Sequence, residues 1–281
     1  MDPAVSALIV ASALLHALWN AALKRQPDPE AASVAILGVA ALAAAAALPL
    51  LGGGAAPGGA GLGWALAAGL CEGGYFMALA LAFRAAPFGL VYTVARGGAL
   101  ALIWPVSVLW LGEPLTVRAA AGALLLVAGL ALVGLERRGR ATLAGVLWAV
   151  ACAGAIAGYH LSYKRALTTG AAPGAVFATA LCVAWPLAVL RLGPGGLGRP
   201  LRALRSRPGT LVAAGLLCTA SFLLFLTALV RGGAGAAVTL RNTSVLFGLA
   251  LAWALGERPG RPQVVGTLGV ALGAAVIGWP R

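Results

Sequence analysis

The chain has 281 residues, 61% of them hydrophobic and 10% charged, and its mean hydropathy of +0.96 implies more apolar surface than a soluble core of that length could hide. A spanning helix takes about 20 apolar residues, so there is room for roughly ten spans and for no soluble catalytic domain. The net charge of +13 does not mark a nucleic-acid binder, because the Lys and Arg residues punctuate the ends of apolar runs instead of clustering on a polar face.

Cuts at Pro, Gly and charge clusters leave apolar segments near 4–23, 31–51, 62–83, 88–111 and 117–135. A second set follows near 143–163, 173–190, 210–229, 235–256 and 263–279. The first segment is preceded by Asp2, not by a basic region, and is closed by Lys24 and Arg25, so it is expected to remain as a span and not to be cleaved as a signal peptide. Only 52–61 and 193–208 are connections of any length. Cys71, Cys152, Cys182 and Cys218 stand singly in apolar runs, without zinc or disulfide spacing, and are expected to be small buried hydrophobes. Pro105 and Pro186 are candidate kinks. GxxxG spacings such as Gly69 to Gly73, Gly154 to Gly158 and Gly269 to Gly273 are expected to serve close packing within one molecule.

The two sets look alike. Leu111-Gly112-Glu113-Pro114 follows the fourth segment and Leu255-Gly256-Glu257-Arg258 the ninth, an offset of 144 that also relates Gly122 to Gly266 and Gly129 to Gly273. Lys24 and Arg25 end the first segment as Lys164 and Arg165 end the sixth, and Arg84 and Arg231 close the third and eighth. An odd number of spans per unit forces the second copy to enter the membrane from the opposite side, the inverted repeat of alternating-access carriers. The expected fold is therefore an all-α polytopic membrane protein, ten transmembrane helices in two inverted five-helix repeats, residues 1–138 and 139–281.

Four strings carry a further resemblance: His16 to Lys24 (HALWNAALK), Leu90 to Gly97 (LVYTVARG), Leu240 to Phe247 (LRNTSVLF), and the paired Gly-Glu positions. On these the chain resembles the EamA-type family of the drug/metabolite transporter superfamily, over essentially its whole length. The resemblance implies a ten-helix carrier with a central cavity, commonly an exporter or exchanger of amino acids, metabolites or drugs. It names no substrate.

An ionisable side chain well inside a span costs about 2.5 to 3.5 kcal/mol, and five stand there: His16, Glu72, Arg96, His160 and Arg241. Arg96 and Arg241 occupy equivalent positions, with backbones on the order of 9 to 12 Å deep. Either they snorkel and hold the bundle, or they face a cavity and offer guanidinium forks to an anionic group. Glu72 is the single acid near the centre of a span. Two Arg against one Glu leave one positive charge uncompensated, which favours an anionic or zwitterionic solute. Glu72 is also a candidate proton-coupling group, since burial and a nearby Arg act on its protonation in opposite senses; the alternative is a permanent ion pair with Arg. His16, Asn20 and Lys24 share one helix face, matched in the sixth segment by Tyr159, His160, Tyr163 and Lys164, either lining a cavity or bonding neighbouring helices. Trp19, Tyr92 and Asn242, within the family strings, complete the candidate substrate-binding set. Tyr75 and Phe76 are expected to pack or to face lipid.

No HExxH, GxSxG or P-loop string is present, so no enzyme, metal site or cofactor is expected, and energy must come from a gradient. The expected partners are a small-molecule solute, membrane lipid and protons as a candidate coupling ion, with no nucleic acid, in a monomer or weak homodimer. The excess of Arg over Lys and the abundance of Gly and Ala suggest a bacterial source, hence the inner (plasma) membrane. Two rivals stand: a carrier or flippase of lipid-linked solutes, and a non-transporting receptor or assembly subunit. Connections after odd-numbered segments hold 13 of the 20 Lys and Arg residues, those after even-numbered segments and the termini 5. The positive-inside rule then places the odd connections in the cytoplasm and both termini outside, whereas relatives are usually drawn with both termini inside.

Overall fold

The computed structural model describes residues 3–50, 54–110, 116–135, 141–231 and 240–278. Among the described residues every regular element is an α-helix. In chain order these are α1 (Pro3–Lys24), α2 (Pro29–Leu50), α3 (Gly59–Ala85), α4 (Phe88–Trp110), α5 (Val117–Gly134), α6 (Leu143–Leu167), α7 (Pro173–Arg191), α8 (Gly198–Ser206), α9 (Pro208–Arg231), α10 (Ser244–Ala254) and α11 (Arg261–Gly278). Seven of them, α1 to α4, α6, α7 and α9, are long and apolar enough to cross a membrane, while α5, α10 and α11 are shorter apolar helices. The chain is thus an all-helical polytopic membrane protein in which length alone supports seven crossings. Glu113, Arg137, Arg138, Arg140 and the start of the ninth apolar segment, 235–239, lie outside the described residues.

Helix starts follow local chemistry. Asp28 Oδ1 accepts the Ala31 N–H at 3.2 Å, Pro29 sits at the first helical position where its missing donor costs nothing, and Glu30 meets the positive end of the α2 dipole. Thr116 caps α5 and Thr142 caps α6, each accepting an N–H three residues on at 3.1 Å. The long connection 193–208 holds a short helix, α8, GRPLRALRS. Cys152 and Cys218 are buried and Cys71 is half-buried, but Cys182 is exposed on α7, so it is not a core hydrophobe.

Lipid is as apolar as Leu, so helices in a membrane adhere where small residues let backbones approach. A glycine-lined seam joins α5 to α11. A Cβ at Gly129 would stand 2.6 Å from the Gly266 carbonyl oxygen, and one at Gly273 2.6 Å from that of Gly122. Gly69 and Gly73 serve the α3–α7 seam against Ala180 and Ala184, whereas Gly154 has open space around it. The larger contacts come in matching pairs: α1 on α9 and α6 on α3, α2 on α9 and α7 on α3, α10 on α1 and α4 on α6.

Among the described residues, the connections after the first, third, seventh and ninth segments meet at one end of the bundle, called the odd end below. Lys24 Nζ donates to the Phe83 and Ala86 carbonyls at 2.6 and 2.8 Å, capping α3. Arg25 donates to the Ala254 carbonyl at 3.3 Å, and Glu257 accepts the N–H groups of Phe88 and, at 2.9 Å, Gly89 at the start of α4. Arg84 pairs with Glu30 at 2.6 Å and Arg199 with Asp28 at 2.7 Å. At the opposite end Ala172 N donates to the Ala55 carbonyl at 2.9 Å.

Candidate functional site

Positions four apart on α1 share a face, and Ser12, His16 and Asn20 turn theirs to the molecular interior, each at most 1% exposed. The α9 helix answers with Ser221. Ser12 Oγ donates to the Ser221 carbonyl at 2.6 Å and Ser221 Oγ to that of Ser12 at 3.1 Å. Arg241, three residues before α10, enters this knot with its Nη1 donating to Ser12 Oγ at 2.9 Å and its Nη2 3.3 Å from His16 Nδ1. A guanidinium only donates, so Nδ1 is the acceptor and the imidazole proton lies on Nε2, which meets the Tyr75 hydroxyl at 3.2 Å. The Arg241 guanidinium also lies over the rings of Phe225 and Phe222, 4.0 and 5.3 Å from their centroids, which offsets part of the cost of holding a cation there.

A second knot joins α3 to α6. Glu72 is fully buried, one carboxylate oxygen accepts the Tyr163 hydroxyl, and the other has no partner. Neither Arg96 nor Arg241 is ion-paired with it, which corrects the ion-pair alternative: the Arg241 guanidinium engages a hydroxyl, an imidazole and ring faces instead. Between the knots lies an aromatic wall in which Tyr75 stands 5.7 Å from Tyr159, and Tyr159 5.7 Å from Phe222, centroid to centroid. Trp19 stacks on Phe76 at 5.2 Å. Tyr75 and Phe76 are 1% and 0% exposed, so neither faces lipid.

Arg96, on α4, is 5% exposed, and its Nε and Nη2 have no hydrogen-bond partner. It shares a cavity of about 10 Å³ with Arg241, His160 and Asn242, walled by Ala99, Leu100, Ile103 and Ile156. That is space for about one water. Its lining residues carry further unpartnered buried polar atoms, among them His160 Nδ1 and Arg241 Nε. Leaving such a donor unmade costs on the order of 1 to 3 kcal/mol, more for a charged group, so the arrangement suits a ligand rich in acceptor oxygens.

The structure thus brings Arg96, Arg241, His160 and Asn242 to one cavity, and sets Glu72, His16, Trp19 and Tyr159 in the wall behind it. Asn20 turns back to the His16 carbonyl at 2.7 Å. Tyr92 stacks on Phe88 at 5.3 Å and crowds Gly248. Lys24 caps α3. Sequence reasoning missed Ser12, Ser221, Phe222 and Phe225. Ser12 was within reach, since it precedes His16 by four residues; the α9 residues carried only the weak signal of a Ser among apolar neighbours.

Residues 143–279 match the model of the EamA-like transporter family. No curated protein matches the chain. Among the solved structures that match, one crystal structure is 20% identical with a TM-score of 0.64, the alignment covering 98% of this chain and 96% of that one. At that identity the likeness concerns the fold alone.

Proposed function

We propose, from the match of residues 143–279 to the EamA-like transporter family, that the protein is a secondary active exporter or exchanger of a small anionic or zwitterionic solute. The single observation that carries the substrate charge is Arg96: buried, with two guanidinium donors unpartnered, in a cavity shared with Arg241 and without an ion-paired acid. A carboxylate or phosphate oxygen would satisfy those donors and neutralise the excess charge. The cavity is too small for such a solute, so the described state is closed around its centre and the solute enters only when helices part.

Alternating access is supported by the packing. Gly122 lies against Gly273 while Gly129 lies against Gly266, and the offset of 144 pairs these same residues, 122 with 266 and 129 with 273. Contact of each residue with the other's counterpart is what a two-fold relation between halves produces. The matched seams α1–α9 and α3–α6 are then symmetry-related gates, and opening one while the other stays shut exposes the centre to one side at a time. In this reading all ten apolar segments cross the inner membrane.

The test is a thermal-unfolding screen of the purified protein against amino acids, organic acids, phosphonates and cationic drugs, since a ligand that binds the folded state raises its melting temperature. Counterflow of any hit in proteoliposomes follows. An anionic or zwitterionic hit that exchanges supports the proposal. Stabilisation by cationic compounds alone overturns the charge assignment, and no exchange of any hit overturns transport.

A further inference from the structure

A second cavity, of about 460 Å³, lies at the odd end between α1, α9 and α10, with Leu18, Ala21, Ala22, Leu251 and Leu255 among its walls and Arg25, Arg207 and Thr210 among its lining. At 100° per residue Leu18, Ala21 and Ala22 fall about 120 to 160° around α1 from His16. The groove therefore lies on the far side of α1 from His16 and the central site. Arg25 follows the end of α1 and Arg207 precedes the start of α9, so both guanidiniums stand at the level where a membrane-spanning helix meets the headgroups.

Charge distinguishes this pair from its neighbours. Arg84 and Arg199 are held by Glu30 and Asp28, whereas among the described residues neither Arg25 nor Arg207 makes an ion pair; Arg25 makes only its bond to the Ala254 carbonyl. Just before Arg207 comes α8, which adds Arg202 and Arg205 to the same end and buries Pro200. Apolar walls below, two guanidiniums without an acidic partner and a hydroxyl above, and a basic helix beside them match one occupant. The geometry points to a built site for a membrane lipid with an anionic phosphate headgroup, its acyl chain along Leu18 and Leu251 and its phosphate between Arg25 and Arg207. Such a lipid would tie α1, α9 and α10 together at the odd end.

The experiment measures thermal unfolding of the full chain in neutral detergent with added dioleoyl phosphatidylglycerol, dioleoyl phosphatidylcholine or inorganic phosphate. Phosphatidylglycerol is expected to raise the melting temperature by several degrees beyond phosphatidylcholine, and phosphate alone to leave it unchanged. The double variant Arg25→Gln, Arg207→Gln loses the increment. So does Ala22→Leu, which fills the groove without touching its charge and decides the matter if the double variant does not fold. Equal shifts with both lipids, a shift with phosphate alone, or an increment that survives Ala22→Leu overturns the site. No solute is involved, so these outcomes are independent of the transport assay.

Discussion

Arg241 and Arg96 look equivalent on paper and do different work. Arg241 divides its fork between Ser12 and His16 and lies over two rings, while Arg96 keeps two donors unspent. Arg96→Ala is therefore expected to leave unfolding nearly unchanged and to weaken solute binding by about 10- to 100-fold, the worth of a charge-assisted bond. Arg241→Lys is expected to weaken both, because a single ammonium cannot bond Ser12 and His16 at once while stacking on Phe225. Titration of solute against the melting temperature of each variant checks both; normal binding by Arg96→Ala would end the anion-site assignment. Glu72 bonds Tyr163 and makes no ion pair with a guanidinium, so in the proposed cycle it is the candidate to exchange a proton. Glu72→Gln should abolish accumulation driven by a pH gradient yet retain counterflow in proteoliposomes, and unchanged accumulation would sink the coupling role.

Among the elements, the glycine seams decide where side chains are forbidden. Gly129→Leu thrusts atoms into the Gly266 backbone, where no flexible group can yield, and is expected to cost about 1 to 3 kcal/mol or more. Gly154→Ala enters open space and should leave the melting temperature in detergent unchanged; equal losses for the two would contradict the seam. At the start of α2, burial pushes the Asp28 carboxyl up, but the Arg199 guanidinium, reinforced by the Ala31 N–H, outweighs it and holds the group below its ordinary value. A depressed value means stabilisation that is present above the unfolded carboxylate range, about pH 4, and lost as pH falls through the folded value. Asp28→Asn should thus melt below the parent at pH 7, with the gap closing below about pH 4.

For the molecule as a whole, the odd connections at one end are the structural counterpart of the charge asymmetry. Lys24, Arg25, Arg84, Arg191, Arg199 and Arg207 all belong there, and the positive-inside rule puts that end in the cytoplasm. In a cysteine-free background, Ala55→Cys is expected to react with an impermeant thiol reagent on intact cells. Pro194→Cys should react only after lysis. The reverse pattern would turn the protein over in the membrane without disturbing the fold.

Apolar periodicity and helix caps such as Asp28 with Pro29 are local properties, so the all-helical membrane class could be read from the chain by itself; the proposed repeat rests on the recurrence of Gly-Glu and Lys-Arg pairs. The His16 and Asn20 face was equally legible, because helical spacing alone dictates it. That Ser12 would meet Ser221, 209 residues away, that Glu72 would choose Tyr163 over an arginine, and that Arg96 would keep unpartnered donors were not. Those depend on which helix seams close and at what register. Gly122 against Gly273 and Gly129 against Gly266 set part of that register through backbone contact, and only the assembled bundle decides it.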